Sequence, residues 1–542
     1  MRLTPAPFFS RWLLLLALAG LVMVLPMGFI LASWFETNDT TLTILGAMGQ
    51  SVLPQYVMTT GWLCLGVALG AGSMGLVSAT LVTLYDFPGK RQLEWLLLLP
   101  MAMPSFIVGF AYTDFFQFSG PLQTTLRTWL GWEGALLPDI RSLWGAVAVF
   151  ALTLYPYVYV LVRTALLERA SHLMVSAQLL GASPLRRWTT IAWPLSRPAL
   201  VAGMSLALME TLADYGLSSY FGIQTFSTGV FKAWLVMDQP AVAAQLSSLL
   251  LLGVMGVLLI EAQARQRMRF HARGHGRDAH AHEAVPLHGA QAGLATLATS
   301  LPVVLGFVLP CGILLGAMPE QATSGQWARI GQWTFNALYL AGLTALGAVA
   351  LAMVFAAAKR LFPTHLTRWG AHILGLGYAL PGTILVVGVL GSLSRIDQAF
   401  GWDLSSTLIA SGAALVWTYL IRFSAVALQA VESGYSRIPP ALDEASRTLG
   451  QSAPVTFARV HVPLLKTSVL TGLLLVFVDV MKELPATLVL RPFDHDTLAV
   501  VAYQLARDER LGEAAQPALL LVAVGLIPVV LLIRSMRKPH DK

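Results

Sequence analysis

The sequence predicts an all-α membrane protein with about twelve transmembrane helices arranged in two parallel halves. Hydrophobic residues make up 56% of the 542 residues and charged residues only 12%, whereas a soluble domain carries about 25% charged residues. Apolar runs of about 20 residues recur along the chain, and each is long enough to cross the ~30 Å hydrocarbon core as a helix. Because these runs do not alternate in hydrophobicity, they exclude a transmembrane β-barrel.

Twelve apolar segments are the predicted spans. They lie near 12–34, 57–84, 93–113, 142–166, 195–217, 241–261, 293–316, 335–358, 370–393, 405–430, 467–490 and 515–534. The first is longer than the roughly 7–15 apolar residues of a cleavable signal peptide, so we expect a retained anchor helix. Cys64 and Cys311 fall inside spans, which argues against a disulfide framework.

The basic residues are distributed asymmetrically. With the N-terminus inside, most of the 35 Lys and Arg fall on the cytoplasmic side, and we count Arg422 among them. This positive-inside bias predicts that both termini are cytoplasmic. The net charge of +7 therefore reflects membrane topology, and no nucleic-acid partner is expected.

An internal repeat relates the two halves. Residues 181–194, GASPLRRWTTIAWP, align with 450–463, GQSAPVTFARVHVP, at an offset of 269, and each segment begins with Gly and ends with Pro. A helix that stops at Gly181 or Gly450 would use the left-handed conformation that glycine adopts easily. Pro194 or Pro463 would then begin the next membrane helix, where its missing N–H costs nothing. Both halves run in the same in-to-out order, which is a parallel duplication.

The repeat and the spans together predict the domain organisation. It comprises an anchor helix and periplasmic loop (1–56), a first transmembrane domain (57–261), a cytoplasmic linker (262–292), a seventh helix and periplasmic loop (293–334), a second transmembrane domain (335–534) and a cytoplasmic tail (535–542). Five linker histidines raise a metal-binding hypothesis, but their spacing matches no ordered zinc motif. We therefore expect a solvated linker and no metal site; the histidines are His271, His275, His280, His282 and His288.

The second cytoplasmic loop resembles the EAA motif of bacterial ABC importer permeases. It reads EASRTLG from Glu444 and Ala445 to Gly450, and Pro463 follows. The resemblance implies a type I ABC importer fold and a short coupling helix that docks on a cytoplasmic ATPase. The first loop keeps Ala177, Gly181 and Pro194 but has no acidic residue. We therefore expect the C-terminal ATPase contact to be the more polar.

Two longer segments resemble the permeases of ferric-iron importers. They are residues 209–234 and 478–511. The resemblance implies a bacterial inner-membrane subunit that receives ferric iron from one periplasmic binding protein and works with two copies of an ATPase, which bind the ATP and Mg. Thiamine, polyamine and aminoethylphosphonate permeases share this architecture and remain alternatives. The chain itself should be no enzyme, because it contains no G-x4-G-K-[ST] phosphate loop.

Charged residues near the ends of the fifth and eleventh spans are candidates for the translocation path, since ionisable groups at membrane depth are costly. Acidic pairs four residues apart share one helix face and would suit a hard cation. Capping of the following chain segment or ion pairing would explain the same carboxylates, and this alternative stays open. An ion-coupled secondary transporter would also use buried carboxylates and parallel repeats, although it would need no paired coupling loops. The candidates are Glu210, Asp214, Asp479, Lys482 and Glu483.

Overall fold

The computed structural model describes residues 7–35, 39–167, 176–177, 180–272, 285–318 and 324–536. Helices account for nearly all of this part of the chain, which confirms the all-α membrane fold. Its strands are β1 (Tyr85–Asp86) and β2 (Val285–Pro286), and they pair in parallel.

The helices are numbered in chain order. Those before the linker are α1 (Pro7–Ala32), α2 (Asp39–Gln50), α3 (Leu53–Leu84), α4 (Lys90–Leu96), α5 (Ser105–Phe116), α6 (Pro121–Leu130), α7 (Leu143–Ala165), α8 (Pro184–Arg187), α9 (Trp193–Ala213), α10 (Gly216–Tyr220), α11 (Phe226–Phe231) and α12 (Pro240–Ala272). Those after it are α13 (Gly289–Val303), α14 (Leu309–Ala317), α15 (Ser324–Leu361), α16 (His365–Leu376), α17 (Gly382–Phe400), α18 (Leu404–Ala410), α19 (Ala413–Tyr435), α20 (Pro440–Thr448), α21 (Ala453–Thr456), α22 (Val462–Met481), α23 (Pro485–Leu490), α24 (Leu498–Arg507) and α25 (Leu511–Met536). Short 3₁₀ helices cover Leu99–Ala102 and Gly377–Ala379, and π-helical turns cover Trp188–Ala192, Lys232–Val236, Val304–Val308 and Phe457–His461.

Ten helices in the described residues are long and apolar enough to cross a membrane. Counting the bent pair Lys90–Ala102 and Ser105–Leu130, whose two parts meet at 93°, as one span brings the number to eleven. The first predicted span corresponds to the shorter apolar helix Ala17–Ala32. The chain is therefore a multi-pass membrane protein.

Two of the predicted spans are broken by proline. Met103 and Leu380 are extended, and Pro104 and Pro381 then precede α5 and α17. A residue before proline is driven out of the helical region by a clash with the proline ring. The segments 93–113 and 370–393, which we predicted as spans, are therefore interrupted at equivalent places.

One compact unit comprises Ala47–Gly229, Leu250–Gln321 and Ala502–Lys542. Its centre is α3 packed on α7 and α9. The helices approach closely at glycines of α3: a Cβ on Gly75 would lie 2.5 Å from the Cβ of Val158. The helices after the linker, α13 and α14, also pack inside this unit, on α3 and α5.

The other compact unit comprises Met1–Gly46, Val230–Leu249 and Ala322–Val501. Its centre is α15 packed on α19 and α22, the repeat equivalents of α3, α7 and α9. Helix α1 packs on α17, where Gly391 leaves room for the ring of Phe29. Each unit is thus built on the same three-helix arrangement, and each includes the apolar helix that precedes the other half in sequence: α13 with α14 in the first unit and α1 in the second. The domain bounds given above stay a prediction.

The linker is more ordered at its ends than a solvated segment. Helix α12 continues to Ala272, and Leu287 donates a backbone hydrogen bond of 2.8 Å to Asp86. Among its histidines, His275, His280 and His282 lie outside the described residues. In the part of the chain that is described, no group of three or more His, Cys, Asp or Glu side chains is placed to hold a metal ion.

Candidate functional site: coupling helices and capped breaks

The second loop forms the short helix α20, which ends in the predicted glycine cap. Gly450 has φ +74°, Gln451 N–H donates to Ser446 O at 3.1 Å, and Gly450 N–H donates to Arg447 O at 2.9 Å. These bonds satisfy the last carbonyls of the helix in a Schellman motif. Asp443 and Ser446 lie on the buried face of the helix. Glu444 and Ala445, the residues expected to contact the ATPase, are exposed.

The buried face of α20 is fixed by Asp443. Its Oδ2 accepts from Arg360 Nε at 2.7 Å, and its Oδ1 lies 2.8 Å from His461 Nε2. The other imidazole nitrogen, Nδ1, lies 3.1 Å from the hydroxyl of Tyr435. Burial alone would raise the pKa of Asp443, but hydrogen bonds from His461 and Arg360 outweigh it and hold the pKa below its usual value.

Arg360 also binds the chain that leads into α20. Its Nη1 donates to Tyr435 O at 2.8 Å and its Nη2 donates to Ile438 O at 2.9 Å. The guanidinium therefore satisfies carbonyls at the C-terminus of α19, where a positive charge is also favoured by the helix dipole.

The first loop is described only in part, because residues 168–175 and 178–179 lie outside the described residues. Gly181 has φ +77°, and Ala182 N–H donates to Ala177 O at 2.9 Å. This bond is the repeat equivalent of the one between Gln451 and Ser446. Both loops therefore contain the same left-handed glycine.

Pro194 and Pro463 lie in the first turn of α9 and α22, as we expected, but each of these α-helices continues from a π-helical turn. The membrane helices that contain them already start at Trp188 and Ala453, and π-helical turns end at Ala192 and His461, two residues before Pro194 and Pro463. Proline cannot donate the i to i−4 hydrogen bond, and a π turn places that gap inside an otherwise continuous helix.

Asp214 and Glu483 make equivalent contacts in the two halves. Asp214 Oδ1 accepts from the backbone N–H groups of Leu217 and Ser218 at 3.0 and 3.2 Å. Glu483 accepts from Ala486 N–H at 2.9 Å and Thr487 N–H at 3.0 Å. Each carboxylate therefore caps the N-terminus of a short helix, α10 or α23, that follows a membrane span.

The two carboxylates differ in their remaining partner. Ser105 Oγ donates to Asp214 Oδ2 at 2.9 Å. Position 382, which follows Pro381 as Ser105 follows Pro104, is a glycine, and Arg422 Nη1 reaches Glu483 Oε1 at 3.3 Å. The Glu483 side chain is 1% exposed and that of Arg422 13%.

Arg422 corrects our charge count, which placed it in the cytoplasm. It lies inside α19, thirteen residues before Tyr435, which is about 20 Å along a helix axis. The sequence reasoning missed it as a functional residue because Glu483 is 61 positions away. The glycine after Pro381, where the first half has Ser105, was the available signal.

The remaining path candidates are half-buried at the ends of their spans. Glu210 lies in the last turn of α9, Asp479 in the last turn of α22, and Lys482 follows the end of α22. Glu210 and Asp214 belong to one compact unit, and the other three candidates belong to the second.

The comparisons with known proteins agree with this architecture. The family described as "Binding-protein-dependent transport system inner membrane component" matches residues 71–269. The chain is 25% identical to the Fe(3+)-transport system permease protein FbpB 2 of Haemophilus influenzae over 532 residues, which cover 96% of this chain and 97% of the relative.

Shorter matches involve other transport systems. The sulfate transport system permease protein CysT of Salmonella typhimurium is 28% identical over 249 residues, 44% of this chain and 82% of the relative. The putative 2-aminoethylphosphonate transport system permease protein PhnU of Salmonella choleraesuis is 26% identical over 183 residues, 34% of this chain and 61% of the relative.

Proposed function

We propose that this chain, a fused two-domain permease of the binding-protein-dependent ABC family, forms the translocation path of an importer for ferric iron. The similarity to a Fe(3+)-transport permease over 96% of the chain carries the proposal, because that relative spans both halves. The sulfate permease matches 44% of the chain and is the second candidate. Thiamine, polyamine and aminoethylphosphonate remain further alternatives.

The acidic residues support a cationic cargo. Asp214 and Glu483 already bind backbone N–H groups, which leaves little capacity for a metal ion. Glu210 and Asp479 remain candidates for the path, and Lys482 follows Asp479 by three residues in the sequence. Oxygen ligands suit ferric iron, and weak, transient contact allows the cargo to leave again.

The partners follow from the coupling loops. A separate ATPase subunit would hydrolyse ATP with Mg, and two copies would dock on the two loops through Ala177 and Gly181 and through Glu444, Ala445 and Gly450. One periplasmic binding protein would deliver the iron. The chain would lie in the bacterial inner membrane with both of its termini in the cytoplasm. The exposure of Glu444 and Ala445 on α20 supports this docking role.

Uptake by cells that depend on this chain tests the cargo. We expect radiolabelled ferric iron to accumulate only when the chain is present, while sulfate uptake stays unchanged. Dependence of sulfate uptake on the chain would instead establish the second candidate.

The double variant Glu210→Gln with Asp479→Asn should lose iron uptake although the complex still assembles. Loss of assembly would assign these carboxylates a structural role.

Energy coupling is tested in proteoliposomes. The chain should co-purify with an ATPase, and transport should stop when the phosphate-loop lysine of that ATPase is replaced. Transport driven by an ion gradient in vesicles that contain this chain alone would overturn the ABC mechanism in favour of a secondary transporter.

A further inference from the structure

A buried polar cluster attaches the second coupling helix to three membrane helices. We call Arg360, Tyr435, Asp443 and His461 the polar clamp. Asp443 lies on α20, Arg360 at the end of α15, Tyr435 at the end of α19, and His461 in the π turn that leads into α22. The His461 side chain is 0% exposed, and those of Asp443 and Arg360 are 11% and 16% exposed.

The contacts leave little freedom within the clamp. Both carboxylate oxygens of Asp443 are occupied, both nitrogens of His461 are occupied, and Arg360 binds three carbonyls besides the carboxylate. The rings of Tyr435 and His461 also meet edge to face at 5.2 Å. A rotation of α20 relative to α22 would therefore break several hydrogen bonds at once.

At three of the four clamp positions the first half has an apolar residue. At the repeat offset of 269, Tyr435 falls on Leu166, Asp443 on Met174 and His461 on Ala192. Met174 lies outside the described residues, whereas Leu166 and Ala192 are buried in an apolar cluster. Since three positions far apart in sequence differ together, we treat the clamp residues as one functional set.

Stability alone does not explain such a cluster. Replacing a buried ionic group by well-packed apolar residues is often neutral or stabilising, and the best-attested benefit of a buried polar group is that it fixes register. The first half demonstrates within the same chain that apolar residues are accepted at these positions.

We propose that Arg360, Tyr435 and His461 are positioning residues that hold the second coupling helix through Asp443, so that movement of the ATPase is transmitted into α15, α19 and α22. This inference rests on the proposed function of α20 as a coupling helix. The sequence of the first half has Leu166, Met174 and Ala192 at the equivalent positions, so the clamp belongs to the second half.

The test uses the full complex with its ATPase and binding protein in proteoliposomes. His461→Ala introduces the residue that the first half has at this position. ATP hydrolysis should continue while uptake falls, so that the ATP consumed per solute rises by about two- to thirty-fold, the range for changes at coupling positions. His461→Gln, which can still bridge Asp443 through its amide, should restore part of the loss. His365→Ala, at an exposed position on α16, is the control and should leave the ratio unchanged.

A spectroscopic measurement separates positioning from folding. Spin labels at the exposed residues Thr448 on α20 and Arg459 in the π turn should give a narrow distance distribution in the otherwise unchanged protein and a broad one in His461→Ala. The inference is overturned if His461→Ala changes neither the distance distribution nor the ATP consumed per solute. It is also overturned if His461→Ala and His461→Gln both fail to assemble. If the unmodified complex shows no ATP-dependent uptake, the proposed function fails instead.

Discussion

The double variant Gly382→Ser with Arg422→Met should rebuild, in the second half, the arrangement that the first half has around Asp214. In the first half Ser105 donates to the capping carboxylate at 2.9 Å. In the second half Arg422 supplies that contact, and Gly382 makes room for it. A Cβ on Gly382 would lie 2.7 Å from Glu483 Oε1 and 2.9 Å from Arg422 Nη1.

Each single substitution should destabilise the protein for a different reason. Gly382→Ser crowds the carboxylate of Glu483, which accepts three hydrogen bonds besides the one from Arg422. Such overpacking costs about 1–3 kcal/mol. Arg422→Met removes one partner of a buried pair, which costs about 3–5 kcal/mol. We expect the lower end, about 3 kcal/mol, because Ala486 and Thr487 still hydrogen-bond Glu483.

The double variant should be less destabilised than the sum of the single changes. Removing the guanidinium relieves the crowding, and the serine hydroxyl can donate to Glu483 in its place. A hydrogen bond to a charged group contributes about 1.5–3 kcal/mol, so we expect an interaction free energy of about 2 kcal/mol, within the range for residues in contact.

The assay is equilibrium unfolding in mixed micelles, with the four proteins of the cycle measured side by side. Arg459→Met, at an exposed position, is the control and should change the free energy of unfolding by less than about 0.5 kcal/mol. If the two changes add within about 0.5 kcal/mol, the proposed steric and hydrogen-bond link between positions 382 and 422 is wrong.

Three further predictions concern other parts of the chain. Gly450→Ala should destabilise α20 by about 1–2 kcal/mol, because the left-handed backbone, with φ +74° and open space around the Cβ, penalises other residues; thermal unfolding should show no such loss for Gly331→Ala, whose Cβ also meets open space inside a helix. Gly391→Ala would place a Cβ 2.0 Å from the Phe29 ring and should cost about 1–3 kcal/mol; combination with Phe29→Ala should relieve that crowding, and an additive result would contradict the packing of α1 on α17. The pKa of Asp443 is depressed in the folded state, so its contribution to stability is present above the unfolded pKa of about 3.9 and is lost as the pH falls through the lower folded pKa. The melting temperatures of the unmodified protein and Asp443→Asn should differ at pH 6 and converge only when the pH falls well below about 3.9, and a gap that persists after the carboxylate is protonated would refute the charge as its cause.

The features that could be predicted from the sequence are local or repeated. The apolar runs predicted the spans because a helix in lipid makes all the hydrogen bonds of its backbone N–H and C=O groups internally. Gly181 and Gly450 were identifiable as left-handed caps because both copies of the repeat place glycine at the end of a helix, and both have positive φ. Glu444 and Ala445 were identifiable by the motif around them, and their exposure agrees with it.

The features that could not be predicted depend on contacts between distant residues. Arg360 and Asp443 are 83 positions apart, and Arg422 and Glu483 are 61 apart, so no local period connects them. Pro194 and Pro463 lie at the starts of α9 and α22, as the rule for proline predicts, but that rule does not anticipate the π turn that precedes each helix. A position-by-position alignment of the two halves would have indicated the clamp, since it pairs Tyr435, Asp443 and His461 with apolar residues.

The paired carboxylates have a physical cause that does not require a cargo. A break in a membrane helix leaves the N–H groups of the next short helix without partners, and each unsatisfied group is costly where water is excluded. A carboxylate placed two residues before the new helix, as Asp214 and Glu483 are, accepts two of these N–H groups at once. Its own charge must then be stabilised, by Ser105 in one half and by Arg422 in the other. Because both halves solve the same backbone problem and differ only in how they stabilise the charge, an acidic residue repeated at membrane depth is by itself weak evidence for an ion path, and Glu210 and Asp479 become the sharper test.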